Sequence, residues 1–286
     1  MESINVDGRN IAYTDVGEGP AVILAHCSSG THREWLHLIE TLQDRYRILA
    51  PDLNGYGKSG RWPEGQRLEP AADPNILVQL AELAGGPVHL AGHSYGGAVA
   101  LEAARVLGNR VASLTLIEPV SFHLLRAVKH PQWNRVNGVG RRVVAAAGAG
   151  KTERAAQVYM SYWIGLLKWW VTPRKMRDAV VSTVGKVAAE FAMIETMPWR
   201  PGDYTNIGAP TRLLLGERSP KGAKAVIDVL EQVLPRAHTR IIRGAGHMSP
   251  ITHREEVARL IARHIDESRI MATVRQASGL PRTSVA

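Results

Sequence analysis

Short, wholly apolar runs alternate with longer stretches of helical spacing along most of this chain. Residues 3–15 alternate apolar and polar side chains around Asp7-Gly8, a dipeptide that accepts positive φ, and predict a hairpin. AVILA (21–25), RILAPD (47–52), VHLAG (88–92) and ASLTLIE (112–118) are too short for helices and predict strands buried on both faces. Residues 32–43, with Trp35, Leu36, Ile39 and Leu42 at helical spacing, predict a helix, as do 76–84 and the Ala/Leu-rich 97–107. Strands in regular alternation with helices read as βαβ units and a mostly parallel sheet.

The alternation stops after Pro119. Residues 121–200 show helical stretches at 121–129, 152–170 and 174–194 but no clear strand, and they hold Trp133, Trp163, Trp169, Trp170 and Trp199. It resumes with strands at 211–216 and 239–244 and helices at 222–234 and 253–266. The expected division is an α/β core of residues 1–120 and 201–266, a helical insertion of residues 121–200, and a flexible polar tail of residues 267–286.

Composition adds a few bounds. The 45% hydrophobic and 21% charged content is that of a globular chain. The formal charge is +9, but the basic residues are scattered, with Arg141-Arg142 and Arg174-Lys175 the densest pairs, so a solvated surface is expected and nucleic acid is not. A single cysteine, Cys27, excludes an internal disulfide and fits a reducing compartment. The polar, alternating N-terminus lacks the build of a signal peptide, and no apolar run approaches the ~20 residues of a membrane span. The expectation is a cytoplasmic protein without a membrane partner.

The chemistry begins at AGHSYGG (91–97), where Gly92-x-Ser94-x-Gly96 follows an apolar strand and opens a helix. That context fits a nucleophile held in a tight turn, with helix N–H groups beside any developing oxyanion. A serine hydroxyl needs a base. Of eleven histidines, His247 lies in the loop after the last predicted strand, which opens on the same sheet edge as Ser94. His26 reads as a loop-fixing residue, His93 should point away from the nucleophile, and His32, His37, His253 and His264 sit on helices as surface residues.

In order, AVILAHCSSG, DLNGYGKSG, GHSYGG, LLLGE and GAGHMSP resemble the α/β-hydrolase family, over roughly residues 3–266. The resemblance implies a mostly parallel eight-stranded sheet flanked by helices, with a helical cap, and hydrolysis through an acyl-enzyme without metal or organic cofactor. It implies an oxyanion hole formed by the N–H groups of Tyr95 and Ser28, with Cys27 where relatives commonly carry glycine. Cys27 reads as a small buried filler rather than a second nucleophile. Relatives often carry the acid in the loop after the LLLG strand, where this chain has Ser219; Glu217 lies two residues earlier. A second family position, the end of the strand after the nucleophile, holds Glu118, 24 residues beyond Ser94. Glu118 is the favoured acid and Glu217 the alternative.

Pocket candidates are His26, Cys27, Trp163 and Met248, and the insertion's other tryptophans serve equally well as core. Arg135, Arg141, Arg142 and Lys168 could attract an anionic group, but solvation is the simpler reading. The expected partner is a small-molecule ester, with a homodimer possible. C–C bond hydrolases, amidases, aminopeptidases and cofactor-free perhydrolases share the fold, and a non-enzymatic sensor is the remaining reading. Dehalogenases and epoxide hydrolases use an aspartate where this chain has Ser94.

Overall fold

The apolar runs become the strands of one sheet in a computed structural model that describes residues 1–278. Among these residues the strands are β1 (Glu2–Val6), β2 (Arg9–Val16), β3 (Ala21–Ala25), β4 (Arg47–Pro51), β5 (Val88–His93), β6 (Val111–Ile117), β7 (Thr211–Gly216) and β8 (Ala237–Ile242). Their spatial order is β1-β2-β4-β3-β5-β6-β7-β8. β1 and β2 pair antiparallel across Asp7-Gly8, which take φ of 50° and 79°, and β2 runs antiparallel to β4. From β4 to β8 every pairing is parallel.

The helices are α1 (Leu36–Leu42), α2 (Pro74–Ala84), α3 (Tyr95–Leu107), α4 (His123–Ala127), α5 (Gln132–Gly148), α6 (Thr152–Ile164), α7 (Leu166–Val171), α8 (Arg174–Thr196), α9 (Lys221–Val233), α10 (Ser249–Thr252) and α11 (Arg254–Ala277). α1 and α11 pack one hydrophobic cluster against the sheet through Leu38, Leu42, Val257 and Ile261. α2, α3 and α9 form the other, which continues without a break into α5, α6 and α8.

The structure departs from the sequence expectations in four places, one of them His264, which was expected on the surface but is buried with Nε2 3.1 Å from Pro210 O. α5 was not expected, because Gly138, Gly140 and two asparagines weaken its helix propensity. Packing overrides propensity there: a Cβ at Gly140 would stand 2.7 Å from the Phe191 ring, so the glycine lets α5 approach α8. The helix expected over 152–170 is two, broken at Gly165 with φ 85°. The tail expected from residue 267 is instead helical to Ala277. Its polar residues are tied down: Arg263 reaches Glu267 at 2.7 Å, Tyr46 donates to Asp266 at 2.6 Å, and Ser268 is buried. The rest of the expected tail, 279–286, lies outside the described residues.

One buried charge cluster joins the insertion to the core. Lys186, on α8, donates to Asp73 at 2.8 Å and to Glu190 at 3.0 Å, and all three side chains are buried. Asp73 also accepts from Asn54 at 2.9 Å and from Tyr95 Oη at 2.5 Å. Glu190 accepts from Tyr56 Oη and Ser28 Oγ, both at 2.6 Å. Burial alone would discharge the ammonium, but the two carboxylates hold the Lys186 pKa above its ordinary value. Burial opposes the Asp73 charge too, yet Lys186 keeps its carboxyl below the usual range; for Glu190 burial prevails and the pKa is raised.

Replacing Lys186 with Met should leave two buried carboxylates uncompensated and cost about 3–5 kcal/mol, read from urea unfolding midpoints. Backbone crowding yields a second expectation. A Cβ at Gly96 would collide with the carbonyls of Ala25 and His26, whereas Gly138 on α5 has open space around it. Gly96→Ala should therefore destabilise by about 3 kcal/mol or more, and Gly138→Ala should stabilise by about 0.5–1 kcal/mol.

Candidate active site

Ser94 occupies the turn between β5 and α3 with φ 55° and ψ −116°, a conformation that costs an L-residue energy and persists only where its surroundings impose it. They do so here. The Ser94 N–H donates to Ile117 O at 2.9 Å, and its carbonyl accepts from Val120 N and Ala98 N, both at 3.1 Å. A Cβ at Gly92 would collide with the Gly96 carbonyl, so both glycines are required for the tight turn. Among the described residues, five non-glycines have positive φ, and three of them, Ser29, Ser94 and Glu118, lie at this edge of the sheet.

His247 bridges the other two groups. Its Nε2 is 2.9 Å from Ser94 Oγ and its Nδ1 is 2.8 Å from Glu118 Oε2. Glu118 follows β6, and its Oε1 accepts from the Gly216 N–H at 2.8 Å and from Ser219 Oγ at 2.6 Å. Burial works against the charge on Glu118, but His247, Ser219 and the Gly216 N–H together hold its carboxyl below the usual range. Burial likewise pushes His247 below the ordinary imidazole value, and Glu118 offsets this only in part. The structure brings Glu118, and not Glu217, to the imidazole: Glu217 is exposed and accepts from Gly244 N at 2.8 Å.

His93 turns away from Ser94, as expected of its position, but it is no bystander. Its Nδ1 is 2.5 Å from Glu34 Oε1 and its Nε2 is 2.8 Å from the His247 carbonyl. Both partners are acceptors, an arrangement that favours hydrogen on both ring nitrogens and positive charge on His93. Burial opposes that charge, and the Glu34 carboxylate more than restores it. The rings of His93 and His247 lie 4.9 Å apart, and the cation lowers the affinity of His247 for a proton. Glu34 also accepts from Cys27 N at 2.8 Å, so one carboxylate steadies both the loop after β3 and the loop of His247. Nothing in the local sequence pairs Glu34 with His93; only the fold does.

Cys27, Glu34 and His93 also place potential metal-ligand atoms within 4.8 Å of one another. Both nitrogens of His93 are already committed to acceptors, which makes the group a satisfied ion pair rather than a vacant coordination site.

The loop after β3 turns between Cys27 and Gly30, whose N–H donates to Cys27 O at 3.0 Å. Positive φ falls on Ser29 at 59° and not on Cys27, so this loop does not need a glycine at 27. Ser28 lines the cleft beside Ser94 and Tyr95 follows Ser94 in the chain, and their hydroxyls are anchored to Glu190 and Asp73. As the first residue of α3, Tyr95 has a backbone N–H without an intrahelical acceptor.

A tight cleft of about 10 Å³, room for little more than one water, adjoins Ser94 and is lined by Ser28, Val120, Tyr159, Trp163, Glu190, Phe191 and Ile194. Of the four residues expected to line a pocket, only Trp163 does. Its indole stacks on the His247 ring at 3.6 Å between centroids and 14° between planes. His26 is buried and accepts the Leu53 N–H at 2.9 Å through Nε2, which is the loop-fixing role. Cys27 is buried with its thiol pKa raised by burial and by Glu34, and Met248 does not line the cavity. Glu190, Phe191 and Ile194 escaped the sequence reading because nothing but the fold distinguishes them from core positions of a long helix.

Comparison with known proteins fits this geometry. The α/β hydrolase fold model matches residues 20–254. A pimeloyl-(acyl-carrier protein) methyl ester esterase from Methylococcus capsulatus is 29% identical over 262 residues, covering 88% of this chain and 97% of that protein. Among solved structures, a thermophilic esterase from Thermogutta terrifontis matches with a TM-score of 0.73 at 24% identity, over 94% of this chain and 99% of that one. An enol-lactonase from Burkholderia xenovorans has the same fold, with a TM-score of 0.73 at 16% identity, over 93% of this chain and 100% of that one. The chain belongs to the α/β hydrolase fold family and is an enzyme of that family.

Proposed function

We propose that the protein is a serine esterase acting on small esters through an acyl-enzyme. The observation that carries this reading is the imidazole of His247, hydrogen-bonded to Ser94 Oγ on one side and to Glu118 on the other. His247 Nε2 takes the Ser94 proton as Oγ attacks the ester carbonyl carbon, and it returns that proton to the departing alkoxide. Water then adds to the acyl-enzyme by the same proton route and frees the acid. Glu118 fixes the ring so that Nε2 faces the serine, and its charge stabilises the transient imidazolium. The N–H groups of Tyr95 and Ser28 are the oxyanion donors in this reading.

The insertion serves as a cap. Trp163 and Ile194, both from the insertion, line the cleft beside the nucleophile. The esterases named among the relatives support ester cleavage over the other reactions hosted by the fold.

Ser94→Ala should abolish hydrolysis of p-nitrophenyl acetate, and Glu118→Gln should lower kcat by roughly 10³–10⁴-fold. Glu217→Gln should leave kcat near wild type; the reverse ranking in steady-state kinetics would move the acid to Glu217. The pH profile supplies a further check. Catalysis needs neutral His247, whose pKa lies below the ordinary 6.5, so neutral base persists to lower pH than for a free imidazole. The acid limb of kcat/KM should therefore fall below pH 6.5, with activity lost as pH drops through it. His93→Gln removes the neighbouring cation and should shift that limb upward.

A further inference from the structure

Large apolar side chains crowd one exposed place on the insertion. On α7, Leu166 is 54% exposed, Leu167 78%, Trp170 58% and Val171 73%, and on the first turn of α8 Met176 is 60% exposed. Leu166, Leu167, Trp170 and Val171 share a face at helical spacing, while Trp169 is turned inward and buried. Around them stand exposed Lys168, Arg174 and Lys175, with Arg177 beside the Trp169 and Trp170 rings at 6.0 and 5.9 Å. Between Glu153 and Glu190 the only acidic residue is Asp178, which lies 3.7 Å from Arg174.

We propose that this face docks on an anionic lipid surface. An apolar turn carrying a tryptophan and rimmed by cations is the composition of an interfacial element, its side chains entering the headgroup region and its cations meeting lipid charge. The high exposures mean that Leu167 and Val171 protrude. Among the described residues no helix is long and apolar enough to cross a membrane, but docking needs no span. This departs from the sequence-based expectation of no membrane partner, which read the scattered basic residues as a solvated surface. α7 follows α6 directly at Gly165, two residues after Trp163 in the cleft wall, so the docked face adjoins the cleft.

The test is co-sedimentation of the full chain, as wild type and as Ser94→Ala, with phosphatidylcholine vesicles with and without phosphatidylglycerol at low salt. Because pelleting is read without turnover, its outcome is independent of the esterase reading. The anionic vesicles should bind both proteins about tenfold or more better than the neutral ones, and each charge removed, as in Lys168→Gln or Lys175→Gln, should weaken binding about fivefold. Leu167→Ser/Trp170→Ser should lose roughly tenfold or more in binding while its hydrolysis of a water-soluble ester stays unchanged. Absence of pelleting, pelleting indifferent to phosphatidylglycerol, or equal pelleting of the double variant would overturn the proposal. A dimer in sedimentation velocity that the double variant dissolves would assign the face to a second copy of this chain and overturn it as well.

Discussion

The buried ammonium of Lys186 is the point on which the arrangement depends. It enters from α8, in the insertion, and meets Asp73 and Glu190 where no water can solvate any of the three. Buried charges persist only when each has partners, and here the partners are parts of the site: Tyr95 on Asp73, Ser28 on Glu190. The two residues proposed to face the oxyanion are thus tethered, through their hydroxyls, to one cation supplied by another segment. Replacing the trio with apolar side chains could be neutral for stability, but it would remove the link between the insertion and those two residues.

A second buried pair plays the same part on the opposite side of Ser94. Glu34 and His93 connect the loop after β3 to the loop of His247, with the His93 ring centroid 4.9 Å from that of His247. Two ion clusters of different composition therefore hold the loops that meet at the serine. Such clusters are costly to desolvate and geometrically demanding, which makes them poor sources of net stability but good sources of a single defined arrangement.

Much of this was legible in the chain. Apolar runs such as AVILA and TRLLLG can only be buried strands, and Gly92 and Gly96 announced the turn because the backbone leaves no room for a Cβ at either. Glu118 was legible through topology: a helix and a strand return the chain to the edge it left. Hidden were features decided by packing between distant segments. α5 looks a poor helix until Phe191 fills the space above Gly140. The end of α11 looks like a loose tail until Asp266 and Glu267 find Tyr46 and Arg212. Glu190 and Lys186 look like solvated members of an amphipathic helix, and their burial follows from partners that lie 113 to 162 residues away.

The hydroxyl of Ser219 donates to Glu118 from the loop after β7, a position where the family resemblance implied an acid. Two strand ends therefore reach the same point beside the imidazole, so a carboxylate there belongs to a location in space rather than to one position in the chain. The spacing also restricts how such an acid can migrate during evolution. A carboxylate at 219 facing one at 118 would put two like charges about 3 Å apart, where they cannot both ionise. Gain at one strand end is thus coupled to loss at the other, or to a proton shared between them. A serine at 219 avoids that conflict and donates a hydrogen bond to the carboxylate at 118 instead.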